Sequence, residues 1–249
     1  MVFQQRIWRN KLLRYNLMKT NLIKIAVVIL FTNGHLALSQ GFVNLDFEWA
    51  NVPDVPAGQY GANVSVTNGL PGWTAYIGGN QVNQISHNSQ SLGGAAIIIQ
   101  GPQWDDSSQI LEGQYTLLLE GLQENPDQND GNPVTAAVAQ IGQIPVTAQS
   151  LEFFGYLLSV QVTFDGQTIP YAAIGSGPNY TIYAGDISGF AGQTGELRFT
   201  ESYFGFGLLD NIQFSSDPVP EPTTFALAAL GGLLLGFRRW TKLSSLSNG

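Results

Sequence analysis

Apolar and polar positions alternate in short runs through the middle of the chain, and no helical period of useful length appears there. Val160, Val162 and Phe164 alternate with Gln161, Thr163 and Asp165, so one face of that segment is apolar and the other polar, as in a half-buried strand. Leu197 and Phe199 alternate in the same way with Glu196, Arg198 and Thr200, and Val43, Leu45, Phe47 and Trp49 with Asn44, Asp46 and Glu48. Further strands are predicted over 73–77, 95–100, 114–120, 134–141, 150–158, 180–183 and 208–214. Gly, Asn and Asp punctuate these runs, and Asp165-Gly166 is a hairpin signal. The stretch 186–192 has room for one short helical turn. About ten short strands at this spacing predict an all-β, antiparallel sandwich.

The two ends break the pattern. At the start, Arg6, Arg9, Lys11, Arg14, Lys19 and Lys24 precede an apolar run over 25–31, and Ala37-Leu38-Ser39 follows. A basic segment, a short apolar run and small residues in that order form a signal peptide. Signal peptidase is expected to cut after Ser39, with Ala37 and Ser39 as the small residues, leaving Gln40 as the mature N-terminus. Met18-Lys19 offers a second start that gives a leader of ordinary length, and an uncleaved N-terminal anchor is the other reading.

At the far end, Val219-Pro220-Glu221-Pro222 is followed by an uncharged run from Phe225 to Phe237 and then by Arg238-Arg239. Each proline fixes its own φ and pushes the residue before it toward extended backbone, so the tetrapeptide is stiff and enters a cleft at low entropic cost. As a helix the apolar run is about 20 Å long, against roughly 30 Å of hydrocarbon. Thr223, Thr224 and a snorkelling Arg238 bring it to a marginal span over 223–237. Arg238, Arg239 and Lys242 stay cytoplasmic by the positive-inside rule, which leaves the upstream domain outside. This three-part tail resembles the PEP-CTERM sorting signal of Gram-negative bacteria. The resemblance implies processing by exosortase, a membrane cysteine transpeptidase, after a transient stay in the inner membrane. Delivery would then be to the cell envelope, the outer surface or the extracellular matrix. One departure is the extension Thr241 to Gly249 beyond the basic residues, and a permanent single-span anchor is the alternative. The chain thus divides into a signal peptide over 1–39, a β-sandwich cargo domain over 40–217 and a sorting signal over 218–249.

Removing the ends changes the electrostatics. The whole chain carries a formal charge of −8, but residues 40–217 hold seventeen acids and one base, Arg198, for a net charge of about −16. Nucleic acid and anionic membrane surfaces are disfavoured as partners, because the phosphate interaction would be repulsive. Divalent cations and neutral glycans remain. There is no cysteine, so disulfides, thiol nucleophiles and zinc-thiolate sites are absent.

Among the acids, Asp210 stands out. If Ile212 and Phe214 face the core, period two puts Asp210 on that same face. A buried carboxylate needs a partner: a bound cation, Arg198, or backbone N–H groups of a neighbouring turn. Asn44-Leu45-Asp46-Phe47-Glu48, then Pro71-Gly72-Trp73, and Leu209-Asp210-Asn211-Ile212-Gln213-Phe214 resemble the opening and closing segments of jelly-roll carbohydrate-binding modules with a galactose-binding-like fold. In those modules an acid of each segment helps to hold a structural Ca²⁺, which implies Glu48 and Asp210 here, with backbone carbonyls completing the shell. No cofactor is otherwise required.

The remaining candidates are weaker. The acidic loop 124–132 fails the EF-hand pattern, since Gly131 sits where an oxygen ligand belongs and Val138 where the closing Glu would be. A solvated Asn/Asp/Gly turn fits better. Trp49, Trp73 and Trp104 are the tryptophans outside the flanks, with Tyr60, Tyr76 and Tyr203 as further aromatic faces for sugar stacking. Trp49 reads as core, and Trp104, in a loop-like Gly-Pro-Gln-Trp-Asp-Asp setting, as the ligand contact. His87, the domain's one histidine, reads as a solvated loop residue. With no G-x-S-x-G elbow, no second histidine and no phosphate loop, no catalytic residue is assigned. The expectation is a non-enzymatic exported protein whose sandwich binds extracellular polysaccharide. A purely structural matrix protein and a glycosidase are the alternatives.

Overall fold

Asp165 and Gly166 both adopt left-handed φ, 46° and 75°, and close the two-residue hairpin that their sequence asks for. They join Gln161–Phe164 to Gln167–Thr168, pairing Thr163 with Thr168 and Phe164 with Gln167. The computed structural model describes residues 41–89, 94–102, 107–123, 133–157, 159–202 and 205–220. The leader, with Ala37, Ser39 and Gln40, lies outside them, as do Trp104, the loop 124–132, Tyr203 and the tail from Glu221 onward.

Sixteen strands are present among the described residues. They are β1 Ala62–Ser65, β2 Thr74–Ile77, β3 Asn80–Val82, β4 Gln84–His87, β5 Ala96–Gln100, β6 Thr116–Glu120, β7 Leu122–Gln123 and β8 Pro133–Val134. Then follow β9 Ala136–Gln143, β10 Ser150–Tyr156, β11 Gln161–Phe164, β12 Gln167–Thr168, β13 Tyr171–Ser176, β14 Thr181–Asp186, β15 Thr194–Glu201 and β16 Phe206–Ser215. One α-helical turn, Val66–Gly69, and two 3₁₀ turns, Ser107–Gln109 and Ser188–Phe190, complete the described elements. The second 3₁₀ turn falls where a helical turn is predicted.

The strands form an eight-stranded sheet in the order β1-β4-β5-β6-β16-β10-β14-β13 and a six-stranded sheet in the order β12-β11-β15-β9-β2-β3. All pairings are antiparallel except β4 with β5. From β9 onward the chain repeatedly crosses between the sheets. The result sets β6-β16-β10-β14 against β9-β15-β11-β12, the arrangement of two interleaved Greek keys that makes a jelly-roll sandwich.

The alternating residues fill the space between the sheets. Val162 and Phe164 of β11, Leu197 and Phe199 of β15, Leu151 and Phe153 of β10, and Leu117 and Leu119 of β6 all belong to one buried core. Trp73 lies at its centre, with ring centroids 5.7 Å from Phe47 and 6.4 Å from Phe199. A second, smaller apolar cluster, Ile98, Leu111, Leu118 and Leu208, lies on the outer face of the large sheet. The Phe154 and Tyr180 rings, stacked at 4.1 Å, border it. This explains why β5, β6 and the start of β16 read as unbroken apolar runs: both of their faces are covered.

Two expectations are corrected here. Residues 43–49 do not form a strand. Asn44 and Phe47 take left-handed φ of 51° and 59°, so the segment coils, Phe47 alone is fully buried, and Trp49 is turned out to 58% exposure. Period two also fails in β16. Its register against β10 runs Gln213 to Glu152 but Asp210 to Phe154, so the strand carries an extra residue, with Asn211 at φ 44°. This bulge puts Leu209 and Ile212 in the main core while Leu208 faces the outer cluster. Asp210 therefore lies on the face opposite Ile212, and is nonetheless completely buried.

Candidate functional site

The opening segment coils around Asn44. Its side chain donates to Pro71 O (2.9 Å) and accepts from Trp49 N (2.9 Å), while its carbonyl accepts from Trp73 Nε1 (2.9 Å). Gly72, at φ 88°, leaves no room for a Cβ beside Val43. These bonds tie Pro71-Gly72-Trp73 to Asn44 and fix where the next acid emerges.

That acid is Glu48, and it reaches the turn before β6. Glu48 Oε1 accepts from Gln114 N (2.8 Å) and Tyr115 N (2.9 Å). Gly113, at φ 62°, closes the turn, and a Cβ there would run into the Glu48 carboxylate. Asp210 holds the same turn from the sheet side. Its Oδ2 accepts from the Thr116 hydroxyl (2.6 Å) and Glu112 N (3.2 Å), and its Oδ1 from Asn211 N (2.7 Å). Thr116 in turn accepts from Leu111 N (2.9 Å). Burial pushes the Asp210 carboxyl up to about 8, against the pull of the Thr116 hydroxyl and the two N–H groups.

The structure thus brings together the two carboxylates singled out in the sequence. Of the two protein partners open to Asp210, backbone N–H groups, with a hydroxyl, are the ones that reach it. Arg198 is not a partner: it lies in the other sheet, donates to Glu196 from Nε (2.8 Å) and Nη2 (3.3 Å), and covers the Tyr76 ring at 4.1 Å. Among the described residues no group of three or more His, Cys, Asp or Glu gathers as a metal site. A calcium ion would have to use these two carboxylates and complete its 6–8 oxygen ligands from carbonyls. Each carboxylate oxygen can accept more than one bond, so both acids keep acceptor capacity beyond these donors, and oxygen ligands suit a hard cation.

Next to the pair, Trp49 borders an open groove of ≈ 410 Å³ lined also by Phe42, Leu45, Asp46, Asn211 and Gln213. Trp49 was expected in the core, and the coil at Asn44 and Phe47 puts it here instead. Trp73 is buried, while Tyr60 is 86% exposed. Trp104 lies outside the described residues.

Two further polar side chains are placed differently from a simple reading. His87 is not solvated. It ends β4 at 3% exposure, with Nδ1 3.1 Å from Pro53 O, and burial lowers its pKa. Glu201, unremarked in the sequence, is fully buried, accepts from the Ser159 hydroxyl at Oε1 (2.6 Å), and is pushed up in pKa by burial. Among the described residues its Oε2 has no partner. The signal was available: Leu197 and Phe199 point inward, so period two puts Glu201 inward too.

The domain ends in a defined way. Gln149 N donates to Ser215 O (2.7 Å), the Ser150 hydroxyl to Asp217 O (2.7 Å), and Pro218-Val219-Pro220 follows. A family model described as the PEP-CTERM protein-sorting motif matches residues 218–239. It covers the acidic Pro-Glu-Pro, the apolar run and Arg238-Arg239, of which Val219 and Pro220 are among the described residues. Comparison with curated proteins and with solved structures gave no match. The motif implies an exported, membrane-transiting chain that exosortase processes at the cell envelope. Among the described residues no helix is long and apolar enough to cross a membrane; the run 225–237 lies outside them.

Proposed function

We propose that this chain is a non-enzymatic surface protein whose tail delivers a glycan-binding jelly roll to the envelope or exopolysaccharide matrix of a Gram-negative cell. The observation that carries the glycan reading is Trp49, held 58% exposed beside a groove lined by Asp46, Asn211 and Gln213. A large apolar side chain kept in water by a rigid coil needs a reason. An aromatic face stacks on the C–H face of a sugar ring, and carboxylate and amide groups around it can bond hydroxyls. The acidic surface favours neutral glycans.

Calcium belongs to the same proposal as a structural ion. Glu48 and Asp210 would hold it, with backbone carbonyls, and its charge would compensate the two carboxylates and fix the turn before β6. Signal peptidase and exosortase are the processing partners.

The test is a glycan array probed with residues 40–217, wild type and Trp49→Ala. Saturable binding that falls at least tenfold in the variant is the expected result. Binding to no glycan would leave a purely structural role, and turnover of a polysaccharide would make the protein a glycosidase.

A further inference from the structure

Both ends of the described domain leave from one end of the sandwich. Gly41 forms a bridge with Gln143 at the end of β9, and Phe42 stacks on Phe214 at 5.2 Å. Asp217, three residues before the first proline of the Pro-Glu-Pro, is bonded to Ser150 at the start of β10. Two loops complete this end. The segment 144–149 is tied to 187–193 through Ile144 N to Gln193 O (3.0 Å), Gly192 N to Ile144 O (3.0 Å) and Ile187 N to Gln149 O (3.0 Å).

Residues 133–151 and 187–195 contain no charged side chain, in a domain of seventeen acids. Val146, at the tip of the first loop, is 76% exposed. The acids nearest by are Glu152, which accepts from the Ser150 hydroxyl at 3.5 Å, and Asp165, Asp186, Glu196 and Asp217. Asp165 accepts from Glu196 N (2.8 Å) and Asp186 from Ser188 N (2.8 Å). Glu196 is paired with Arg198, the one base of residues 40–217 (2.8 Å). Asp217 lies on the tether itself.

We infer that this end of the sandwich, with Val146 foremost, is seated on the lipid surface while the tail is still anchored. The inference rests on the sorting-tail reading. The tether decides the occupant. From Asp217 to the apolar run beginning at Phe225 there are only eight residues, at most about 28 Å if fully extended and less across the headgroup region. The domain is therefore held against the bilayer by the end from which the tether departs. An acidic body is repelled by an anionic surface, whereas uncharged loops with an exposed valine are not. The other end, where Phe206 opens β16, stands about 30 Å away along that ten-residue strand and faces outward.

The chain has no cysteine, so a single one reports a single place. Full-length Val146→Cys and Phe206→Cys, each carrying an environment-sensitive NBD label, would be reconstituted into phosphatidylcholine vesicles without exosortase and checked by flotation. Doxyl-lipid quenchers should reduce the label at 146 at least twofold and leave the label at 206 unchanged. A floating protein whose label at 146 is not quenched, or whose two labels are quenched alike, overturns the inference alone. A protein that does not float with the vesicles overturns the anchor reading, and the inference with it.

Discussion

Glu48 and Asp210 hold opposite flanks of one turn: Glu48 Oε1 takes the N–H groups of Gln114 and Tyr115, and Asp210 Oδ2 takes Glu112 N–H and the Thr116 hydroxyl. The first and last segments of the domain are thus joined through a third. A loss at either acid frees the same five residues.

Asp210→Ala should be the costlier change. It leaves a buried hydroxyl and two backbone N–H groups without an acceptor, at about 3 kcal/mol, or a fall of roughly 6–12 °C in midpoint for a domain of this size. Glu48→Ala should cost about 1 kcal/mol, because Gln114 N–H reaches water. Since both act on one turn, the double variant should lose less than the two single losses added. Urea denaturation of residues 40–217 measures all three.

The pH dependence follows from burial of Asp210. Its folded-state pKa is raised from 3.8 to about 8, so between those values the folded protein keeps a proton that the unfolded chain releases. The contribution is fully present below about pH 4 and is lost as pH rises through 8. In EDTA, the stability of wild type relative to Asp210→Asn should therefore decline from pH 4 to 8. A flat difference, or a rise, would mean that the carboxylate is ionised in the folded protein throughout.

Calcium should reverse that trend, because the cation binds the ionised acid. At a hundred times Kd, native-state binding adds about 2.7 kcal/mol, a shift of several degrees. EDTA should lower the midpoint at pH 7.5 and added Ca²⁺ restore it, in wild type but not in Asp210→Asn. Identical melting curves with and without chelator would leave Asp210 with its N–H and hydroxyl partners alone.

The sandwich was legible where alternation is strong. Val162 and Phe164, and Leu197 and Phe199, point inward as their spacing requires, and Asp165-Gly166 turns as its residue types require. The candidate site was harder to read. Left-handed φ at Phe47 is uncommon for an aromatic residue, and it converts an apparently alternating strand into a coil that turns Trp49 outward. One inserted residue at Asn211 moves Asp210 to the other face while keeping it buried, so the need for a partner was correct and its direction was not. β4 was missed because Gln84-Ile-Ser-His87 is mostly polar, and its closing His87 lies against Pro53 and Gly101, contacts that no local pattern records. β13 was missed because, as the outermost strand, nearly all its side chains are exposed.

Delivery depends on the tail, and processing of the tail tests it. Replacing Pro220-Glu221-Pro222 with three alanines leaves the apolar run and Arg238-Arg239 intact, so membrane insertion should persist. In a host that carries exosortase, the wild-type protein should lose its C-terminal segment and leave the inner membrane. The triple variant should keep its full mass and accumulate there. Intact-mass analysis of the two proteins in fractionated membranes decides the matter. If both retain an intact C-terminus and fractionate together, the tail is a permanent anchor and the sorting reading is wrong.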